Sequence, residues 1–116
     1  MCRAPRPATA VAVLREFREL RNPAQAAILR RFFKTGPGEY GEGDEFWGLK
    51  VPQVRAVLAR FSEVPLDVVG DLLDSPVHEA RFFAAAALVR AYARGDAAAR
   101  AAVFDFYLAR SARINN

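Results

Sequence analysis

The sequence predicts an all-α fold of stacked antiparallel helix pairs, with about six helices in a single domain over residues 1–116. Three observations predict it: apolar residues recur at helical spacing, prolines stand where helices begin, and no stretch alternates polar and apolar residues over a strand's length. A chain of 116 residues, 53% of them hydrophobic, is long enough to bury one core. An irregular six-helix bundle is the alternative, because the helix pairs share no clear sequence repeat.

The first two helices are separated by Asn22, a capping residue, and Pro23, which fits the first turn of a helix because its missing N–H is unpaired there. The first helix has an apolar stripe at Val13, Leu14, Phe17 and Leu20. The inward residues of the second are Ile28, Leu29, Phe32 and Phe33. Residues 1–8 precede this pattern and are expected to be disordered.

Prolines also introduce the later helices. Pro52 opens a third helix and Pro65 a fourth, with apolar positions at Val54, Val57, Leu58 and Phe61 and at Val69, Leu72 and Leu73. The fifth helix, about residues 77–94, follows Ser75-Pro76; it is apolar around most of its circumference from Phe82 to Val89, which predicts that it is the buried one. Gly95 ends it, and Asp96 caps a sixth helix whose predicted inner face is Ala102, Val103, Phe106 and Tyr107.

One connection is far longer than a helix pair needs. Between helices 2 and 3, Thr35 to Val51 forms a Gly-rich loop of about 17 residues, and loops of that length in compact domains are usually functional or disordered. Its aromatic residues Tyr40, Phe46 and Trp47 favour an ordered cap over the helices, with Trp47 in the core. A phosphate-binding P-loop is not indicated, because the Gly-Lys-Ser/Thr ending is missing and the loop carries Glu39, Glu42, Asp44 and Glu45. The spacing of these carboxylates does not fit a calcium-binding EF-hand.

Charge is unevenly distributed along the chain, whose net charge is +4. Residues 1–35 carry eight Lys/Arg and two Asp/Glu, residues 36–79 carry three and nine, and residues 80–116 carry six and two. Positive charge at both ends of the chain fits a surface that meets phosphate, although solvated helix faces are the commoner reason for such runs. Lys34, Lys50 and Arg55 flank the long loop, and Arg55 falls near a helix start that itself favours anions. Exposed, unspecific charge is the alternative for each.

Other residues limit the chemistry. The chain has one cysteine, Cys2, and one histidine, His78, so neither a disulfide framework nor a metal site is indicated. His78 is expected to cap the fifth helix or to bond the preceding loop. Arg81 is expected either to pair with a carboxylate such as Glu79 or to line a groove. The longest uncharged apolar run is too short to span a bilayer, for which about 20 residues are needed, and no secretory leader is indicated, which favours the cytoplasm.

Four blocks of sequence together resemble a known family. Arg31-Phe32-Phe33-Lys34-Thr35-Gly36-Pro37-Gly38-Glu39-Tyr40-Gly41-Glu42-Gly43-Asp44, then Gly48-Leu49-Lys50-Val51-Pro52 with Arg55, resemble the signature of the DNA alkylation repair family related to AlkD. Ser75 to Arg81 and the closing segment from Tyr107 to Asn116 are similar to its later blocks. The resemblance covers residues 14–116.

The resemblance implies a fold, an activity and site residues. Family members are stacks of HEAT-like helix pairs that wrap double-stranded DNA in a concave basic groove, without metal or cofactor. The implied reaction hydrolyses the N-glycosidic bond of 3- or 7-alkylpurines, and a carboxylate stabilises the oxocarbenium-like sugar. Arg55 and, more weakly, Lys34 and Lys50 are implied as phosphate contacts. Tyr40, Trp47, His78, Glu79 and Arg81 are expected to be structural or to line the groove.

The chain departs from the family at its last residues. In relatives, a Trp-Asp-x-x-Asp segment with the catalytic aspartate follows the Ile-Asn-Asn block, which here is residues 114–116. None of the thirteen carboxylates matches that aspartate, so no catalytic residue is expected in this chain. It is expected to be the N-terminal half of a glycosylase, to keep the DNA-positioning surface in a nucleoid-associated, cytoplasmic protein, and to self-associate through an uncovered end. The alternative is a non-catalytic helical-repeat module that binds DNA or protein.

Overall fold

The computed structural model describes residues 6–32 and 45–110, and these residues form six helices and two very short strands. The all-α prediction is confirmed, whereas the HEAT-like pairing stays a prediction. The elements in chain order are β1 Arg6–Pro7, α1 Ala10–Glu19, α2 Pro23–Phe32, α3 Val51–Ala59, β2 Phe61–Glu63, α4 Leu66–Leu73, α5 His78–Arg94 and α6 Ala97–Arg110.

Capping side chains lie at the starts of three helices, and two of them, Asn22 and Asp96, were predicted from the sequence. The side-chain oxygen of Thr9 accepts a hydrogen bond from the N–H of Ala12 at 3.1 Å and caps α1. Asn22 does the same for α2 and Asp96 for α6, with donor–acceptor distances of 3.1 and 2.9 Å. Prolines lie at or beside the starts of α2, α3 and α4, and Gly95 ends α5. These local signals were sufficient to place the helices.

The buried core is centred on α5, which packs against α3, α4 and α6. Phe83 of α5 is fully buried, and its ring makes edge contacts with Phe17 of α1 and Phe61 of β2, at centroid distances of 5.7 and 6.4 Å. Aromatic pairs prefer this arrangement because the positive ring edge meets the negative face of its neighbour. α5 therefore joins the beginning and the middle of the chain in one core.

Two very short strands form a pair that the sequence did not predict. β1 and β2 form a parallel pair in which Arg6 lies opposite Phe61, and the N–H of Ala8 donates to the carbonyl of Glu63 at 2.9 Å. Ala8 is buried, so residues 6–8 are not disordered as expected. Phe61, predicted on the third helix, lies in β2 because α3 ends at Ala59; its side chain is buried nonetheless.

Three predicted inward faces are only partly correct. In α5, Phe83, Ala84, Ala87 and Leu88 are buried, but Val89 is 71% exposed because its side of the helix opens on a groove. In α2, Ala26 is buried where Gly48 approaches it, and Ile28 is exposed. In α6, Val103 is buried and Phe106 half-buried, whereas Ala102 and Tyr107 are exposed.

Candidate nucleic-acid interface

The segment that leads into α3 is held by a buried carboxylate. Glu79, in the first turn of α5, is 3% exposed and is the one buried polar or charged side chain among the described residues. Its Oε2 accepts hydrogen bonds from the backbone N–H groups of Trp47, Gly48 and Leu49 at 3.2, 2.9 and 3.2 Å, and its Oε1 accepts from Trp47 at 3.1 Å. Three consecutive N–H groups thus compensate the desolvation of the carboxylate, as a buried charge requires.

Gly48 allows this segment to approach α2 closely. Its φ of +84° lies in the left-handed region, where a side chain is disfavoured. A Cβ at this position would also lie 2.0 Å from the carbonyl oxygen of Asn22. The neighbouring carbonyl of Trp47 accepts from the N–H of Asn22 at 2.8 Å. Residues 47–49 are therefore fixed between α2 and α5.

The beginning of the segment is joined to α5 as well. Glu45 bridges to Val77 in parallel fashion, and its carbonyl accepts from the N–H of His78 at 2.8 Å. The ring of Phe46, which is buried, stacks on the His78 ring at a centroid distance of 4.7 Å. The backbone N–H of His78 thus bonds Glu45 of the long loop, whereas the prediction that His78 caps α5 or bonds the loop just before it stays a prediction.

A basic groove runs between α3 and α5. This α3–α5 groove has a volume of about 490 Å³ and is lined by Arg55, Leu58, Ala59, Phe82, Ala85, Ala86, Val89, Arg90, Ala93 and Arg94. Small alanine side chains form much of its floor. The guanidinium carbon of Arg55 lies 5.9 Å from the centroid of the Phe82 ring, within cation–π range.

Arg90 is a structural part of this groove. Its Nη1 donates to the carbonyl oxygens of Leu58 and Phe61 at 2.9 and 3.0 Å, so it satisfies acceptors where α3 ends and β2 begins. Burial lowers the pKa of Arg90, and the charge of Arg94 lowers it further. Arg55 and Arg94 are exposed, which leaves them accessible to an anionic ligand.

A second, more apolar groove adjoins the first at Phe82, which lines both. This α2–α5 groove, of about 520 Å³, is lined by Gln25, Ile28, Leu29, Leu49, Lys50, Val51, Val54, His78, Glu79 and Phe82. Lys50 stands at the start of α3, where its backbone N–H donates to the Gln53 side-chain oxygen at 2.8 Å, and its side chain is exposed. Lys50 and Arg55 thus belong to adjoining grooves that share one aromatic residue.

The structure places the remaining predicted residues as follows. Lys34 and Tyr40 lie outside the described residues. Trp47 is half-buried and packs against the core from its edge, and Phe46 is the more buried of the two aromatic residues. The Nη1 of Arg81 donates to the carbonyl of Ser75 at 3.0 Å, and both alternatives given for Arg81 stay predictions.

Sequence reasoning missed the role of Glu79 and the basic residues Arg90 and Arg94. The one available signal for Glu79 was a carboxylate in the first turn of a helix predicted to be buried. Such a group needs a compensating partner. Nothing in the sequence indicates that the partner is a backbone segment about 30 residues earlier.

Metal-binding clusters and membrane-spanning helices are both absent from the described part of the chain. Residues 6–32 and 45–110 contain no group of three or more His, Cys, Asp or Glu side chains arranged to hold a metal ion. None of the helices in these ranges has the length and apolar character that crossing a membrane requires.

Comparison with known proteins gives one match. The sequence model of a family described as DNA alkylation repair enzyme matches residues 13–116. The chain matches no curated protein and no solved structure at a significant level. The matched residues include α2, α3, α5 and the segment that leads into α3, so the match covers both grooves.

Proposed function

Because this chain belongs to the DNA alkylation repair enzyme family, we propose that it binds double-stranded DNA through the α3–α5 groove and positions it for repair of alkylated bases. The observation that carries the proposal is the arrangement of Arg55 and Arg94, both exposed, on a groove with a small-residue floor, with Lys50 at the adjoining edge. Arginine presents donors in a planar fork that matches phosphate oxygens.

The groove chemistry suits backbone contact more than base reading. Cations that neutralise phosphates release condensed counterions, so log affinity falls linearly with log salt concentration. The slope is about 0.9 for each phosphate contact. Lys50, Arg55 and Arg94 would together contribute a slope of about 3 on that scale. Alanine side chains on the floor leave the groove shallow, which fits a ligand that lies along a surface.

We further propose that the reaction served is hydrolysis of the N-glycosidic bond of 3- or 7-alkylpurines. Alkylation there makes the base a cationic leaving group, and a carboxylate near the sugar would stabilise the oxocarbenium-like transition state. Among the described carboxylates only Glu79 is buried, and its oxygens accept three backbone N–H groups. The catalytic role is therefore assigned to no described residue, and the contribution proposed for this chain is DNA positioning.

Salt-dependent binding to a fluorescently labelled duplex tests this proposal. Arg55→Ala should weaken binding and reduce the slope of log affinity against log salt by about one. Arg15→Ala is the matched control, because Arg15 is exposed on α1 and lines neither groove. If both variants show the same slope, Arg55 does not contact DNA and the groove assignment is wrong.

Release of free bases from DNA provides a second test of the proposed function. The chain is incubated with methylated duplex DNA, and free 3- and 7-methylpurines are measured. We expect no release above the spontaneous rate, because the catalytic role is assigned to no described carboxylate. Release that disappears in a Glu79→Gln variant that still folds would contradict the structural role given to Glu79.

A further inference from the structure

The α2–α5 groove differs in character from the basic α3–α5 groove beside it. Its volume of about 520 Å³ lies within the range of small-molecule sites, roughly 300–1,000 Å³. Apolar side chains contribute much of its lining: Ile28, Leu29, Leu49, Val51, Val54 and Phe82. Such a lining suits a flat group with weakly hydrated faces better than it suits a phosphate.

Apolar surface is open to solvent in this groove. Ile28 of α2 is 52% exposed and Val51 of α3 is 48% exposed, and both line the same cavity. A ligand that covered the two side chains would remove this surface from water, which is favourable in proportion to the apolar area buried. The groove is therefore suited to an apolar or aromatic occupant.

The neighbouring groove indicates which occupant this is. Phe82 lines both grooves, and the guanidinium carbon of Arg55 lies 5.9 Å from the centroid of its ring. Lys50 adds a second exposed cation on the α2–α5 side. A phosphate bound by Arg55 brings its nucleotide to the Phe82 ring. Nucleobases stack on aromatic side chains whatever their sequence, because every base has a π-face.

We propose that the α2–α5 groove receives an unpaired nucleobase of the bound DNA, which stacks on Phe82 and covers Ile28 and Val51. The inference rests on the proposed function, because Arg55 and Lys50 must hold the strand that carries this base. It adds a class of substrate, namely DNA in which one nucleotide leaves the helix at low cost. Unpairing and unstacking cost least for a base that is mismatched, damaged or already unpaired.

A bulged duplex tests this preference. One strand carries a single extra 2-aminopurine, which is a fluorescent base, and a fully paired duplex carries the same base opposite thymine. Because stacking of one base on an aromatic ring is worth roughly 5- to 150-fold in affinity, we expect the bulged duplex to bind about tenfold more tightly. Phe82→Leu keeps an apolar side chain and should reduce this preference to about threefold or less. Equal affinity of the wild-type chain for both duplexes would overturn the inference.

The emission of 2-aminopurine reports where the base lies. Stacking in DNA quenches this emission, so it should rise when the base leaves the helix, and a base in the groove should be shielded from acrylamide in solution. A rise without shielding means that the base points into solvent. No rise at saturated binding means that the base stays within the DNA. Either result contradicts the proposal.

A charge placed in the groove gives a matched test. Ile28→Glu introduces a carboxylate among the apolar lining, and Val11→Glu makes the same change in net charge at an exposed position of α1 that lines neither groove. The ratio of the two affinities should fall towards one in Ile28→Glu and stay at the wild-type value in Val11→Glu. A preference that survives in a folded Ile28→Glu variant excludes this groove. If that variant does not fold, acrylamide quenching of the wild-type complex decides alone.

The two proposals fail in different measurements. If neither duplex binds, or if Arg55→Ala leaves the salt slope unchanged, the proposed function fails and this inference fails with it. If both duplexes bind with the expected slope, but without a preference and without a shielded base, only the assignment of the α2–α5 groove fails.

Discussion

Replacement of Glu79 by glutamine tests whether one buried carboxylate holds residues 47–49 in place. The change keeps the shape of the side chain and removes its charge. A neutral amide oxygen in the Oε2 position can still accept from Trp47, Gly48 and Leu49, but charge-assisted hydrogen bonds are roughly twice as strong as neutral ones. Relief of the desolvation cost of the charge offsets part of the loss. We expect the free energy of unfolding to fall by about 2 kcal/mol.

The size of this effect can be measured by denaturant unfolding, followed by circular dichroism and by Trp47 fluorescence. For a domain of this length, about 2 kcal/mol corresponds to a lowering of Tm by roughly 8 °C. Glu79→Ala should cost more, at least about 3 kcal/mol, because it leaves three N–H groups without their acceptor. A loss of that size is a large fraction of the about 5–15 kcal/mol that stabilises a typical domain.

Glu19→Gln is the matched control, because Glu19 is an exposed helical carboxylate. Its effect should stay within about 0.5 kcal/mol. The reasoning is refuted if Glu79→Gln unfolds within the same margin of the wild type. It is also refuted if Glu79→Gln and Glu79→Ala are equally stable, since the accepted hydrogen bonds would then contribute nothing.

Four further substitutions probe the packing around the site. Gly48→Ala should lower the yield of folded protein sharply, because its Cβ would meet the Asn22 carbonyl oxygen at 2.0 Å. Gly70→Ala in α4 is the contrasting change, because its Cβ would meet only the movable Arg110 side chain. It should be neutral or stabilising by about 0.5–1 kcal/mol in thermal melts. Phe83→Ala should cost about 3–5 kcal/mol in denaturant unfolding, and a cost below 1 kcal/mol would mean that its ring is not central to the core. Arg90→Met should lower Tm by leaving two carbonyls without their donor, and a Tm equal to that of the wild type would show that solvent replaces it.

The helices were predictable from the sequence because their signals are local. Asn22, Asp96 and Gly95 act on backbone groups within a few residues, so a short window contains the information. Amphipathic spacing likewise identified Val13 and Phe17 as buried. These features do not depend on where the rest of the chain lies.

The errors come from contacts between distant segments. Ile28 has the spacing of an inward residue, but Gly48 approaches α2 at Ala26, and Ile28 is exposed on the α2–α5 groove. β2 exists because residues 6–8 lie beside Phe61, and no local pattern indicates that pairing. Periodicity shows that a helix has an apolar face, but the neighbour that covers it is decided by the fold.

The residues of the candidate site also fall into those that the sequence could identify and those that it could not. Lys50 and Arg55 could be named from the family resemblance, and the structure places them on adjoining grooves. Arg94 could not be separated from other surface cations, because its partners on the groove lie about 35 residues away on α3.

Residues 47–50 lead into α3 through a rigid turn. Gly48 makes the turn possible, and Glu79 fixes the N–H groups of Trp47, Gly48 and Leu49. Lys50 follows directly and lines the α2–α5 groove, which adjoins the α3–α5 groove at Phe82. If the proposed function holds, Glu79→Gln should weaken DNA binding together with stability, because the position of Lys50 depends on this turn. Arg55→Ala should weaken binding without a comparable loss of stability, which separates loss of a phosphate contact from loss of the scaffold beneath it.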